Sequence, residues 1–512
     1  MTQGELEKLA LKTGNLFSEL EIRIMSDVAR RIKDAGFSTA SSDWQIRRLE
    51  ELGKAESEIK DWVQETLQKS DEEMEHIFSD EVYEQYYQHS RAYKASGVKM
   101  LPFEENTPLI RLTEAVKSQL SGEYKNIAGS MGFAIRGPDG RIQASPLMTF
   151  YRSTLDNAVL DIQSGGFDYG TVLKRTVSRM TNSGLRWIDY DSGVHSRVDV
   201  AARRAVMTGF RQVQGKINEQ VAADLGTNTY EVSYHVGARP SHQPWQGRVW
   251  TMEQLQSVCG LGTVTGLHGA NCYHDYSPFI PGVSTRTYID DQLQEMLDEE
   301  NTPKDYYGKS YTTYEALQEQ RKMERNMRAT RQQVKLLQAG SADEKDVILK
   351  KAKYQGQLQK YADFSKAMHL PEQKQRITQD GLRGRFTPTK TEQKRLEESE
   401  KNDKIKAGIK QAGMRGEITL NPSIPDVSKL SFDDAHVNKE RNHGVTELEA
   451  KSYIQNALFS TTKWNGAFTN YYSDKGAAFV NNENNSIRTA FKREQYDDAA
   501  EAAMEVLKHG GA

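Results

Sequence analysis

The chain has 512 residues with 68 basic and 71 acidic side chains, so its formal net charge is −3. This balance excludes a protein that binds nucleic acid through its overall charge, and any basic surface must be local. Its two cysteines cannot form a disulfide framework, and no apolar run reaches the roughly 18 residues of a membrane span. We therefore expect assembly in a reducing cytoplasm and no membrane partner.

Residues 1–228 are predicted to be mainly α-helical, because apolar side chains recur every fourth residue, as in Leu16, Leu20 and Ile24. Within this region, the string FAIRGPDGRIQ predicts two strands joined by a turn at 137–140.

A long helix from about residue 198 to 221 is predicted to carry a basic stripe. Arg197, Arg204 and Arg211 are seven residues apart, which places them on one helix face. Such a stripe can bind DNA phosphates or an acidic protein surface. The alternative is an ordinary solvated helix face.

The segment 229–300 is a small loop-rich α+β region in which glycine, histidine and proline are frequent. Cys259, His268, Cys272 and His274 are residue types that bind zinc, but they lack the paired spacing that usually holds structural zinc. One alternative is a loop held by imidazole hydrogen bonds, with Cys272 as a small buried apolar residue. Another is a nucleophilic Cys272 beside His268 or His274, for which no third orienting group is identifiable. We expect no metal and no cofactor.

Two strings in this segment, GARPSHQPWQGRVW and GLHGANCYHDYSPFIPG, resemble the phage minor capsid protein 2 family and, distantly, minor head proteins of the phage Mu F type. The motif residues are Arg239, His242, Gly247, His268, Asn271, Cys272 and His274. The distant family usually has Cys-Arg-Cys after the asparagine, whereas this chain has Cys-Tyr-His.

The resemblance spans about residues 1–368 and implies a structural role in a phage or prophage head. It implies a low-copy protein inside the capsid near the portal, linked to head assembly and to DNA packaging or delivery. The partners implied are the portal protein, the major capsid protein and packaged DNA. The protein would be in the host cytoplasm during assembly.

Residues 301–372 predict a helical hairpin whose bend lies at 339–341, with Ser341 and Glu344 as a capping box for the second helix. Residues 373–428 are charged and interrupted by glycine without sustained periodicity, which is typical of a linker.

Residues 429–512 predict a separate small α+β domain. A helix capped by Thr446 and Glu449 precedes four short strands separated by turn residues, and a last helix follows. A helix with a four-stranded antiparallel sheet is the expected architecture. The segment resembles phage-borne nuclease domains of the barnase/EndoU/colicin/RelE-like group, which implies a metal-independent RNase acting on host RNA.

Such an RNase requires a base, an acid and cations that stabilise the phosphorane. The predicted catalytic residues are His436, His443, Arg441, Arg488, Thr489 and Lys492. Ser460, Thr462, Trp464 and Tyr472 are predicted to bind phosphate or stack on bases. Each has a structural alternative: the aromatic rings fill the space between sheet and helix, Arg488 protects a strand edge, and both histidines are solvated loop residues.

Overall fold

A computed structural model of the chain describes residues 3–36, 41–136, 141–164 and 166–510. The chain divides into two compact units, Met1–Pro388 (unit 1) and Thr389–Ala512 (unit 2). The predicted turn at 137–140 lies outside the described residues, whereas the strands predicted on either side of it are present.

Unit 1 is mainly α-helical, as its apolar periodicity predicts. Its helices are α1 (Gln3–Gly36), α2 (Ser41–His76), α3 (Val82–Tyr87), α4 (Ser90–Ser96), α5 (Thr107–Gly129), α6 (Leu147–Gln163), α7 (Tyr169–Ser183), α8 (Val198–Asp224), α9 (Met252–Ser257), α10 (Asp290–Asn301), α11 (Thr313–Ala339), α12 (Glu344–Ala367) and α13 (Lys374–Ile377).

The described short strands of unit 1 form three small sheets. The strands are β1 (Met131–Arg136), β2 (Ile142–Pro146), β3 (Leu185–Ile188), β4 (His195–Arg197), β5 (Thr229–Val232), β6 (Val249–Thr251), β7 (Tyr276–Phe279), β8 (Lys304–Tyr306) and β9 (Lys309–Tyr311). Their orders are β2-β1-β3-β4, β6-β5-β7 and β8-β9. The first motif string (237–250) follows β5 and runs into β6, and the second (266–282) contains β7.

Helix α1 lies at the centre of unit 1, where it packs against α8 and α11. Its apolar residues at helical spacing, such as Leu20, Ile24 and Val28, are fully or almost fully buried. The same helix buries the carboxylate of Glu21, which accepts from Arg197 Nη2 (2.5 Å), Gln332 Nε2 (2.9 Å) and the Leu185 amide (2.7 Å). The core therefore includes a buried carboxylate with three hydrogen-bond donors, besides its apolar packing.

The predicted helical hairpin is formed by α11 and α12, which pack against each other. The predicted capping box is wrong in detail, because Asp343 occupies the N-cap position of α12 and no side chain caps the helix. Ser341 instead lies in the bend with a positive φ of 54°.

Much of the segment predicted as a linker is folded. Arg331 on α11 forms a bidentate ion pair with Asp380, which fixes the end of unit 1. A capping box of Thr389 and Glu392 then begins α14 (Lys390–Gln411), whose buried Ile405 and Ile409 join the core of unit 2. With only these two buried positions, α14 shows almost no apolar periodicity, and this is why the pattern resembled a linker.

Unit 2 is a small α+β unit, as predicted, but its sheet is larger and mixed. The strands are β10 (Glu417–Leu420), β11 (Ser431–Phe432), β12 (Phe459–Lys463), β13 (Phe468–Tyr472), β14 (Gly476–Asn481) and β15 (Ser486–Lys492). They lie in the order β10-β12-β13-β14-β15-β11. The predicted antiparallel meander is its central part, β10 adds an antiparallel edge, and β11 pairs in parallel with β15. These edge strands were missed because they are only four and two residues long.

Helices cover both faces of this sheet. Helix α15 (Glu447–Gln455), with the predicted Thr446/Glu449 capping box, packs on the face that contains Tyr471 and Ala478. Helices α14 and α16 (Asp498–Lys508) pack on the face that contains Tyr472 and Ala477. Consecutive residues face opposite sides because side chains alternate along a strand.

Candidate functional sites

A cleft of about 420 Å³ in unit 2 brings together most of the predicted catalytic residues. Its lining comprises His436, Arg441, His443, Lys463, Trp464, Phe468, Asn470, Phe479, Arg488, Thr489, Phe491 and Gln495. Arg441, Lys463 and Arg488 are cationic, and the described lining residues include no aspartate or glutamate. The cleft therefore favours an anionic ligand such as a phosphodiester.

His436 is held by a carboxylate. Its Nδ1 lies 2.7 Å from Glu440 Oε2, one turn further along the chain, and its backbone amide donates to Asp433 Oδ1 (3.1 Å). With Nδ1 held by Glu440, Nε2 is the ring nitrogen left to exchange a proton with a substrate. Asp433 also pairs with Arg488, so one carboxylate positions both the histidine segment and the strand that carries the arginine.

His443 lies in a loop that its neighbours fix. Asn438 donates to the Val445 carbonyl oxygen (2.9 Å) and accepts from the Val445 amide (3.0 Å). The ring of His443 lies 5.6 Å from that of Phe491, and its buried Nδ1 contacts no hydrogen-bond partner among the described residues. A buried ring nitrogen without a partner is uncommon in folded proteins.

Trp464 projects at the rim of the cleft. It begins a turn with positive φ at Trp464, Asn465 and Gly466, and 73% of its surface is exposed. Its ring contacts Phe468 edge-on at 5.2 Å. A large exposed aromatic ring beside cationic groups is a typical platform for stacking bases.

Four predicted residues lie outside the cleft lining. Ser460 and Tyr472 are buried in the sheet, and the Tyr472 ring stacks on Phe459 at 4.7 Å, as the structural alternative proposed. Thr462 lies on β12 and lines a neighbouring depression, while Lys492 is exposed at the end of β15.

Sequence reasoning missed Glu440, Lys463 and Asn470. Glu440 follows His436 by four residues, a helical spacing that would have indicated the pair. Asn470 lies two residues after Phe468 on β13, so both side chains are on one face of the sheet. The two-residue period of the strand was therefore the available signal.

A second site lies in the motif segment of unit 1, where three buried side chains converge. His242 Nδ1, His274 Nδ1 and Cys272 Sγ come from the two motif strings. The Nδ1–Nδ1 distance is 3.4 Å, and Sγ lies 3.9 Å from His242 Nδ1 and 3.6 Å from His274 Nδ1. The Trp245 ring covers both imidazoles at 4.5 and 4.8 Å.

Burial determines the protonation of this cluster. It lowers the pKa of His242, and together with the neighbouring His235 it lowers the pKa of His274 to about 2. Burial raises the pKa of the Cys272 thiol. In the protein alone, both imidazoles are therefore neutral.

The other motif residues shape the loops around the cluster. Arg239 of the first string donates to the Ala270 carbonyl oxygen of the second (2.8 Å). Gly247 has a φ of 69°, and a Cβ there would lie 2.4 Å from Leu293. Asn271 also has a positive φ, 57°, directly before Cys272. The motif therefore encodes a tightly folded pair of loops.

The two further residues of the predicted zinc set lie elsewhere. His268 Nε2 lies 3.3 Å from Asp275 Oδ1, and its ring contacts Tyr276. Cys259 is buried in the apolar core of the motif segment. His242, which the zinc prediction omitted, takes part in the cluster.

The predicted basic stripe on α8 is not an exposed surface. Arg197 pairs with Glu21 and Asp199, and Arg211 is 5% exposed and pairs with Asp275 (3.3 Å). Arg204 is half-buried. Arg197 ends β4, directly before α8, whereas Arg204 and Arg211 lie seven residues apart on α8, where they are half-buried and buried.

Unit 1 thus presents a helical body with a compact loop motif. The family model of phage minor capsid protein 2 matches residues 1–364, more than half of the chain. The chain belongs to this family, and it is a structural component of the phage virion that associates with other capsid components. No curated protein and no solved structure matches the chain. Among the described residues, every helix is too short or too polar to cross a bilayer.

Proposed function

We propose that the protein is a low-copy component of the capsid interior near the portal, where unit 1 contacts the portal protein, the major capsid protein and packaged DNA. The family match over residues 1–364 carries this proposal, because it spans nearly all of unit 1. The proposed role includes head assembly and DNA packaging or delivery. Because Arg197 and Arg211 form internal ion pairs, any DNA contact uses other basic side chains.

The test is quantitative mass spectrometry of purified heads, with the major capsid protein as the internal standard. We expect a copy number close to that of the portal ring, and lysine cross-links between unit 1 and the portal protein. Heads without the chain, or cross-links confined to the outer shell, would refute the portal-proximal role.

We also propose, as a second function, that unit 2 is a metal-independent RNase. The convergence of His436, His443, Arg441 and Arg488 on one cleft favours it. In this proposal His436, oriented by Glu440, removes the 2′-OH proton, and the arginines stabilise the negative phosphorane. His443 protonates the leaving oxygen.

The test uses the purified full chain and a labelled RNA without added metal. We expect cleavage by the wild type and a loss of about 10²–10⁴-fold in His436→Ala, the usual contribution of a general base. His509→Ala is the matched control, because His509 is an exposed histidine outside the cleft lining. Intact RNA with the wild-type chain, or equal cleavage by both variants, would refute the RNase.

A further inference from the structure

The hydrogen bonds around the His242–Cys272–His274 cluster fix the tautomers of both imidazoles. His242 Nε2 lies 2.8 Å from the Thr265 carbonyl oxygen, which only accepts, so Nε2 carries the hydrogen. His274 Nε2 lies 2.9 Å from Gln246 Oε1. That oxygen also accepts from the His235 backbone amide (3.0 Å), so its identity as oxygen is fixed and His274 Nε2 is also a donor.

Both Nδ1 atoms therefore direct lone pairs into the same buried space. They are 3.4 Å apart, and the single Cys272 S–H can donate to only one of them. The three side chains are at most 4% exposed, so the other lone pair is out of reach of bulk water. A buried acceptor without a donor is unfavourable, whereas a cation between the three atoms satisfies all of them.

The distances between the three atoms match those of tetrahedral zinc coordination. With Zn–N of about 2.05 Å and Zn–S of about 2.3 Å, a tetrahedral site requires N–N of about 3.4 Å and S–N of about 3.6 Å. The cluster shows 3.4 Å for N–N, and 3.6 and 3.9 Å for S–N. The Nε2–H bonds to Gln246 and Thr265 are the outer contacts that orient zinc-binding histidines.

We propose that His242 Nδ1, His274 Nδ1 and Cys272 Sγ bind one zinc ion, which joins the two loops of the motif. Binding releases the thiol proton to solvent, and a water molecule completes the coordination. The ion adds a cross-link within residues 229–282, whose regular structure is three short strands and one short helix. The proposal does not rest on the portal or RNase functions.

Two buried cysteines in the same segment provide a matched pair of variants. Cys272→Ala removes a ligand, whereas Cys259→Ala removes an equally buried thiol from the apolar core that both cysteines share. We expect about one zinc per chain in the purified full-length wild type and in Cys259→Ala by elemental mass spectrometry. Cys272→Ala and His242→Ala should contain well below one.

Cobalt substitution tests the ligands directly and does not depend on thermal stability. The wild type and Cys259→Ala loaded with Co²⁺ should show thiolate-to-cobalt charge-transfer absorption, and Cys272→Ala should not. The proposal would be overturned if the wild-type protein, purified from cells grown in zinc-supplemented medium, contained no zinc or a different metal. Full zinc content in a folded Cys272→Ala chain would also overturn it, because the ion would then lie elsewhere.

Discussion

Replacing Asp380 by alanine removes the carboxylate that neutralises a buried guanidinium. Arg331 is 5% and Asp380 2% exposed, and the pair is bidentate at 2.8 and 3.1 Å. The guanidinium also donates to the Leu382 carbonyl oxygen (2.6 Å) and lies over the Phe386 ring at 4.2 Å. These contacts attach the last residues of unit 1 to α11.

The loss is large because the remaining charge stays buried. Removing one partner of a buried pair costs about 3–5 kcal/mol, and 3 kcal/mol is roughly a 150-fold shift in an equilibrium constant. Asp380→Ala should therefore increase local opening of residues 378–388 at least 100-fold, on this estimate. Glu372→Ala is the control, because its pair with Lys374 is exposed and such pairs contribute about 0–1 kcal/mol.

Hydrogen–deuterium exchange of peptides covering residues 378–388 measures this opening. In Asp380→Ala, the exchange rate should be much higher in these peptides and unchanged in α5. Glu372→Ala should exchange like the wild type. The double variant Arg331→Met/Asp380→Leu should recover most of the protection, since apolar replacement of a buried pair is often neutral. Equal exchange in Asp380→Ala and Glu372→Ala would refute the reasoning.

Three further predictions concern single side chains. Trp464→Ala should weaken binding of a short single-stranded RNA by about 1–3 kcal/mol, as measured by fluorescence anisotropy. Thermal stability should not fall, because the ring is exposed. Unchanged affinity would contradict the stacking role. Cys259, whose pKa burial raises to about 12, should resist iodoacetamide at pH 8 until the chain unfolds, as peptide mass spectrometry can show. Gly356→Ala should stabilise α12 by about 0.5–1 kcal/mol, because a Cβ there meets open space. Gly209→Ala should destabilise α8 by about 1–3 kcal/mol, because its Cβ would lie 2.9 Å from a Val116 methyl group. Urea unfolding measures both changes in stability, and changes of the same sign would contradict the packing argument.

The sequence predicted helices and strands where local patterns are strong. The stripe through Leu20, Ile24 and Val28 identified α1, and turn residues identified the four central strands of unit 2. It did not predict α14, because two buried isoleucines in a charged helix leave hardly any periodic signal. Nor did it predict Asp380 as a core residue, since its partner is 49 residues earlier in the chain.

The candidate sites show the same division. The resemblance to nuclease domains, together with residue type, indicated His436, His443 and Arg488 as acid–base and cationic candidates. Contacts between distant segments were not predictable. His242 is 30 residues from Cys272, and only the fold brings their side chains together. Arg211 was assigned to the surface because spacing defines a helix face but not what covers it.

The carboxylate of Glu21 also constrains the order of events during synthesis. Its partners lie 164, 176 and 311 residues later in the chain. At about 5–20 residues per second, the ribosome needs roughly 15–60 s after Glu21 to reach Gln332. Until α11 has been translated, α1 therefore lacks part of the native contacts that cover its apolar face and complete the hydrogen bonds of Glu21.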